Sequence, residues 1–195
     1  MSNPNPETLK LDTKTSALVL IDLQYAIMGR ATAPYTTSEV VERSARLAQA
    51  FREKGGIVVY VHVDVANMLQ LPVDRIFRDP NAPAPPPNAK DIVPEAGIQP
   101  GDLLVLKNNW GAFFGTNLEA QLREKGITTV VLGGVATNYG VESTARAAAG
   151  LGFALVVVED ACTSLSPELH RFPFDNVFPM LSRVRSTQEV IDSLE

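Results

Sequence analysis

Short runs of uninterrupted apolar residues recur along the chain, each ending at a polar or glycine-bearing turn: residues 16–22 (SALVLID), 56–63 (GIVVYVHV), 102–107 (DLLVLK), 128–135 (TTVVLGGV) and 153–160 (FALVVVED). They are too short for buried helices and rich in β-branched residues, the pattern of strands covered on both faces. The intervening segments have helical periodicity instead. Val40, Val41, Leu47, Ala48 and Phe51 share one face behind a Thr36/Glu39 capping box, and the pattern stops at Gly55-Gly56. Thr116 with Glu119 predicts a second capping box, ahead of Leu118 and Leu122. Asn138 is expected to cap a small-residue helix through Val141, Ala145 and Ala148. Ser166-Pro167 opens a further helix, and Ser186 with Glu189 opens the last.

Alternating strands and helices predict a mainly parallel sheet between two helical layers, a three-layer α/β/α domain of Rossmann-like topology. No repeat or linker divides the chain, so residues 1–195 are expected to form a single domain with residues 1–15 as an N-terminal extension. One connection is unusually long. Residues 64–101 contain Pro80, Pro83, Pro85, Pro86 and Pro87, and read equally as a functional or interaction arm and as a plain surface excursion.

Of the 195 residues, 45% are hydrophobic, enough for a substantial core, and the net charge of -5 comes without a basic cluster. Nucleic acid and anionic membrane are therefore poor partners, and a small molecule is the expected one. The N-terminus lacks a secretory pattern and no stretch approaches the roughly 20 apolar residues of a spanning helix, so a cytoplasmic location is expected. Cys162 is the single cysteine and His62 and His170 the only histidines. No disulfide can form within the chain, and neither a metal nor another cofactor is expected. Cys162 reads as a buried core residue, and His62 as structural.

In a parallel sheet the strand ends converge on one edge, where ligands bind. Asp22 closes the first strand, Lys107 closes the third, and residues 133–140 (GGVATNYG) join the fourth strand to a helix. Alone, Asp22 could be a turn cap and Lys107 a solvated strand end. Together they place a carboxylate and an ammonium beside a turn of backbone amides, a constellation suited to acid–base chemistry. Trp110, Phe113 and Phe114 follow Lys107 and could roof such a pocket or pack in the core. Gln24, Trp110, Phe114 and Tyr139 are the expected substrate contacts, with the segment from Leu23 to Tyr35 and the proline-rich loop shaping the pocket.

The pieces LVLIDLQ, KNNWGAFFGTNLEAQLREKGI and GGVATNYGVESTARAAAGLGFALVVVEDAC resemble the isochorismatase-like hydrolases, also called cysteine hydrolases, over nearly the whole chain after Ser16. The resemblance implies catalytic roles for Asp22 and Lys107, and it aligns Gly140 with the position where most members carry a nucleophilic cysteine. It also implies a cis peptide between Val135 and Ala136, an oxyanion-type hole from the amides of Ala136 and Gly140, and a homo-oligomer. Ala136-Thr137-Asn138 is similar to the tripeptide of cysteine-bearing members. Members with glycine in place of the cysteine hydrolyse a vinyl ether without a covalent intermediate.

Three functions follow. The first is hydrolysis of a small anionic enol ether with Asp22 as general acid. The second, suggested by the missing thiol, is a catalytically silent binding or scaffold protein. The third is amide hydrolysis by water activated directly at Asp22.

Overall fold

The computed structural model describes residues 9–76, 79 and 81–195; residues 1–8, most of the expected N-terminal extension, and Phe77, Arg78 and Pro80 of the proline-rich loop lie outside the described residues. Strands β1 (Ser16–Ile21), β2 (Ile57–Val63), β3 (Leu103–Lys107), β4 (Thr129–Val135), β5 (Ala154–Thr163) and β6 (Arg183–Arg185) form one parallel sheet in the order β3-β2-β1-β4-β5-β6. The helices are α1 (Tyr25–Met28), α2 (Thr37–Glu53), α3 (Leu118–Glu124), α4 (Glu142–Gly150), α5 (Pro167–Asn176), α6 (Phe178–Leu181) and α7 (Thr187–Asp192). A single turn of π-helix, Thr137–Val141, precedes α4.

Alternation along each strand splits the core in two. Leu18, Leu20, Tyr60, Val131 and Val156 face α2 and α7, meeting Val40, Leu47, Phe51 and Val190. Ala17, Val19, Ile21, Val59 and Val130 face the other layer, meeting Leu118 and Leu122 of α3, Ala145 and Ala148 of α4 and Phe178 of α6. This is the expected three-layer α/β/α architecture. Burial of both faces explains why the strands read as continuous apolar runs.

Local differences from the sequence reading have physical causes. Strand β6 was not expected, because its three residues are Arg183, Val184 and Arg185 at a sheet edge, where one face stays partly exposed. Strand β5 extends through Cys162, which is fully buried within the strand rather than after it. The capping boxes at Thr36 and Ser186 form, and Ser166 caps α5. The Thr116/Glu119 capping box does not form, since the N-cap of α3 is Asn117; the Thr116 hydroxyl donates to the Ala112 carbonyl at 2.6 Å and accepts from Leu118 N–H at 3.3 Å. Asn138 is no cap either, since the π-turn displaces the start of α4 to Glu142; its Oδ1 accepts a hydrogen bond from Ser164 Oγ at 2.6 Å.

The long loop has two parts. Around residues 88–96 it is clamped to α1: Ala26 N–H donates to the Ala89 carbonyl, Tyr25 N–H to Asp91 and Val93 N–H to Leu23. In the preceding part, Leu69, Leu71, Val73 and Ile76 are more than half exposed. No helix among the described residues is long and apolar enough to cross a membrane.

Candidate active site

Strand β1 pairs with β2 on one side and β4 on the other, so the connections diverge between β1 and β4 and open a crevice at their carboxyl ends. Gly134 makes this approach possible. Its φ is 123°, and a Cβ there would stand 2.2 Å from the Ile21 carbonyl oxygen. Only glycine lets β4 pass so close to the end of β1.

Asp22 follows β1 with φ 55°, the one non-glycine residue in the left-handed region among those described. Its N–H donates to Val61 and its carbonyl accepts from Gln24 N–H, so the strained backbone is held from both sides. The side chain is buried and meets Lys107 from the end of β3: Lys107 Nζ donates to Asp22 Oδ2 at 2.9 Å. A second Nζ bond, 3.2 Å to the Asn109 carbonyl, orients the ammonium. Asp22 Oδ1 is buried without a hydrogen-bond partner among the described residues. Burial pushes the Asp22 carboxyl above its ordinary range, outweighing the opposing effect of the Lys107 charge and hydrogen bond.

The cleft is bordered by Asp22, Lys107, Trp110, Ala136, Tyr139 and Gly140, with Ile27, Arg30, Val63, Met68, Val135 and Leu165 completing its wall. The Val135–Ala136 peptide is cis. The Ala136 N–H donates to no backbone carbonyl among the described residues, whereas the Ala136 carbonyl accepts from Tyr139 and Val141 within the π-turn. Thr144 Oγ1 ties this turn to the loop after β3, donating to the Gly140 carbonyl at 2.7 Å and accepting from Ala112 N–H at 3.0 Å. The rings of Trp110 and Tyr139 meet edge to face at 5.0 Å.

A Cβ on Gly140 would lie 3.4 Å from Asp22 Oδ2 and 3.5 Å from the Trp110 carbonyl oxygen, its tightest neighbour being Ile21 Cγ2 at 3.0 Å. Gly140 has no positive φ, so backbone conformation does not demand glycine. Its effect is to leave the space beside the carboxylate open. Cys162, the only thiol, lies buried in β5, where desolvation pushes its pKa far up.

Two expected substrate contacts are placed elsewhere. Gln24 is fully buried and turned into the protein: Nε2 donates to the carbonyls of Val63 (2.9 Å) and Ala89 (3.1 Å), and Oε1 accepts from Val63 N–H at 2.6 Å. It braces the cleft floor. Phe114 is half exposed and packs over Gly111, outside the cleft, while Phe113 stacks on Phe153. His62 bonds through Nδ1 to the Lys90 carbonyl at 2.6 Å, joining β2 to the long loop, and Asp64 caps the turn at Ala66 and Asn67. Arg30, Ile27, Met68 and Leu165 were missed as individual residues. Ile27 lies in α1 and Arg30 just after it, Met68 in the long loop and Leu165 between β5 and α5; the expected pocket-shaping segments, residues 23–35 and the proline-rich loop, contain the first three but not Leu165.

A doubly wound α/β domain with a buried carboxylate–ammonium pair at its switch point is the framework of an isochorismatase-like hydrolase. The chain belongs to the isochorismatase family, matching the isochorismatase domain over residues 16–189. It is 45% identical over 194 residues to the isochorismatase family protein YecD of Escherichia coli O157:H7, covering 95% of this chain and 100% of YecD. An isochorismatase family protein of Burkholderia thailandensis superposes with a TM-score of 0.88 at 39% identity, over 96% of this chain and 98% of that one. The ureidoacrylate amidohydrolase RutB of Variovorax paradoxus is 31% identical over 192 residues, covering 82% of this chain and 73% of RutB.

Proposed function

We propose that this hydrolase cleaves a small anionic enol ether by general-acid catalysis at Asp22, with no covalent enzyme intermediate. The observation that carries the reading is the empty position beside the carboxylate, where Gly140 offers no side chain 3.4 Å from Asp22 Oδ2. With Cys162 buried in β5, no thiol borders the cleft to form a thioester.

Lys107 occupies Oδ2, so the proton of neutral Asp22 resides on Oδ1, the oxygen without a partner. Burial favours this neutral form. The acid O–H transfers its proton to the enol-ether carbon, and the adjacent ether oxygen stabilises the resulting oxocarbenium ion. Water adds to that cation and loses a proton, and the hemiketal collapses to a carbonyl product and an alcohol. Lys107 stabilises the carboxylate left after proton transfer. The Ala136 amide is the expected donor to a substrate or water oxygen.

The likeness to ureidoacrylate amidohydrolase supports a second reading, in which ionised Asp22 activates water for direct attack on an amide. A hydrolysis screen of small anionic enol ethers, isochorismate among them, together with small amides separates the two readings when Asp22→Asn serves as the blank. Turnover of enol ethers alone supports the first and turnover of amides alone the second. No Asp22-dependent turnover in either class contradicts both and favours a binding role.

A further inference from the structure

From the π-turn a chain of polar groups leads outward, from the buried Thr137 and His170 to the partly exposed Glu159 and Tyr35. Thr137, the residue after Ala136, is fully buried, and its Oγ1 lies 2.9 Å from His170 Nδ1 on α5. His170 is also buried, and its Nε2 lies 3.1 Å from Glu159 Oε1 on β5. Glu159 in turn accepts from the Tyr35 hydroxyl, 3.2 Å from Oε2. His170 holds the Glu159 carboxyl below its ordinary range, chiefly through this hydrogen bond.

The direction of the chain follows from its ends. An ionised carboxylate only accepts, so Nε2–H donates to Glu159; in the neutral tautomer this leaves Nδ1 to accept from the Thr137 hydroxyl. Every buried polar atom of Thr137 and His170 side chains is thereby satisfied, and the Thr137 rotamer is fixed by a partner on another element. None of these side chains borders the cleft, yet Thr137 begins the turn that brings Tyr139 and Gly140 to its wall. Rigidity of such a turn determines how well its amides are aimed.

We propose that His170 and Glu159 are positioning residues which, acting through Thr137, hold the Ala136–Gly140 turn in the geometry the cleft requires. The inference rests on the cleft being the reaction site, but it can be read without turnover, so failure of the hydrolytic reading and failure of the relay are distinguishable.

Trp110 is the only tryptophan and touches Tyr139 of the same turn, which makes its fluorescence a native reporter. Acrylamide quenching of Trp110 is expected to increase in Thr137→Val and His170→Gln and to stay at the wild-type value in Thr137→Ser, which keeps the hydroxyl. As a second readout, Gly140→Cys places a thiol in the cleft, and its alkylation by iodoacetamide is expected to slow by roughly tenfold when Thr137→Val is added, the change equivalent to one pKa unit. Where Thr137→Val does not fold, Glu159→Gln at the outer end of the relay supplies both measurements. Unchanged quenching and unchanged thiol reactivity in folded His170→Gln and Glu159→Gln proteins, even with a lowered melting temperature, would reduce the relay to a structural contact and overturn the proposal.

Discussion

Lys107 Nζ binds only one of the two carboxylate oxygens of Asp22, Oδ2 at 2.9 Å, and leaves Oδ1 buried and unpaired. This asymmetry gives the carboxyl two distinct oxygens, one held by the ammonium and one able to hold a proton. A symmetric, bidentate pair would instead favour a permanently ionised carboxylate.

Thiol-modifying reagents are expected to leave activity intact under native conditions. Cys162 is inaccessible and burial disfavours its thiolate, and no other cysteine is present. Iodoacetamide treatment followed by assay and mass measurement tests this; inactivation in proportion to Cys162 labelling would contradict it.

Gly140→Cys is expected to fold, because the backbone there has no positive φ and Ile21 Cγ2 needs to give by only a few tenths of an ångström. The new thiol should titrate below an ordinary cysteine, with the Lys107 ammonium and the helix start favouring thiolate, and should be alkylated faster than Cys162. Labelling at position 140 that is no faster than at Cys162 would mean the site is not built to stabilise an anion there.

Gln24→Ala is expected to lower stability by about 3 kcal/mol, since it removes a buried side chain with three hydrogen bonds and strands the Val63 N–H. Chemical denaturation measures the loss. A variant of wild-type stability with a raised KM would restore Gln24 to the substrate contacts and contradict the bracing role.

The strands, the layer architecture and the pairing of Asp22 with Lys107 were legible in the sequence because burial on both sheet faces writes itself as apolar runs, and because parallel strands bring their carboxyl ends to one edge. Side-chain direction was not legible. Gln24 lies two residues after Asp22 and looked equally available to substrate, but the sharp turn at Asp22 sends its amide toward the backbone of Val63. Trp110 and Phe114 are equally aromatic, and only the loop geometry at Gly111 puts one at the cleft and the other outside it. The Thr137–His170–Glu159 relay joins three separate elements, the π-turn, α5 and β5, and a lone histidine in α5 gave no local signal.

The acid role of Asp22 is tested most directly by the pH dependence of turnover on an enol-ether substrate, measured for the wild type and for Asp22→Asn. The folded protein raises the Asp22 pKa, so the proton is held above the ordinary carboxylate range; activity is present below that raised pKa and falls as pH rises through it. Asp22→Asn cannot donate the proton, and the expected loss is about a hundredfold to ten-thousandfold in rate, with the high-pH limb assigned to this group gone. Near-wild-type turnover by a correctly folded Asp22→Asn protein, or a wild-type rate that falls only as pH drops, would contradict general-acid catalysis at Asp22.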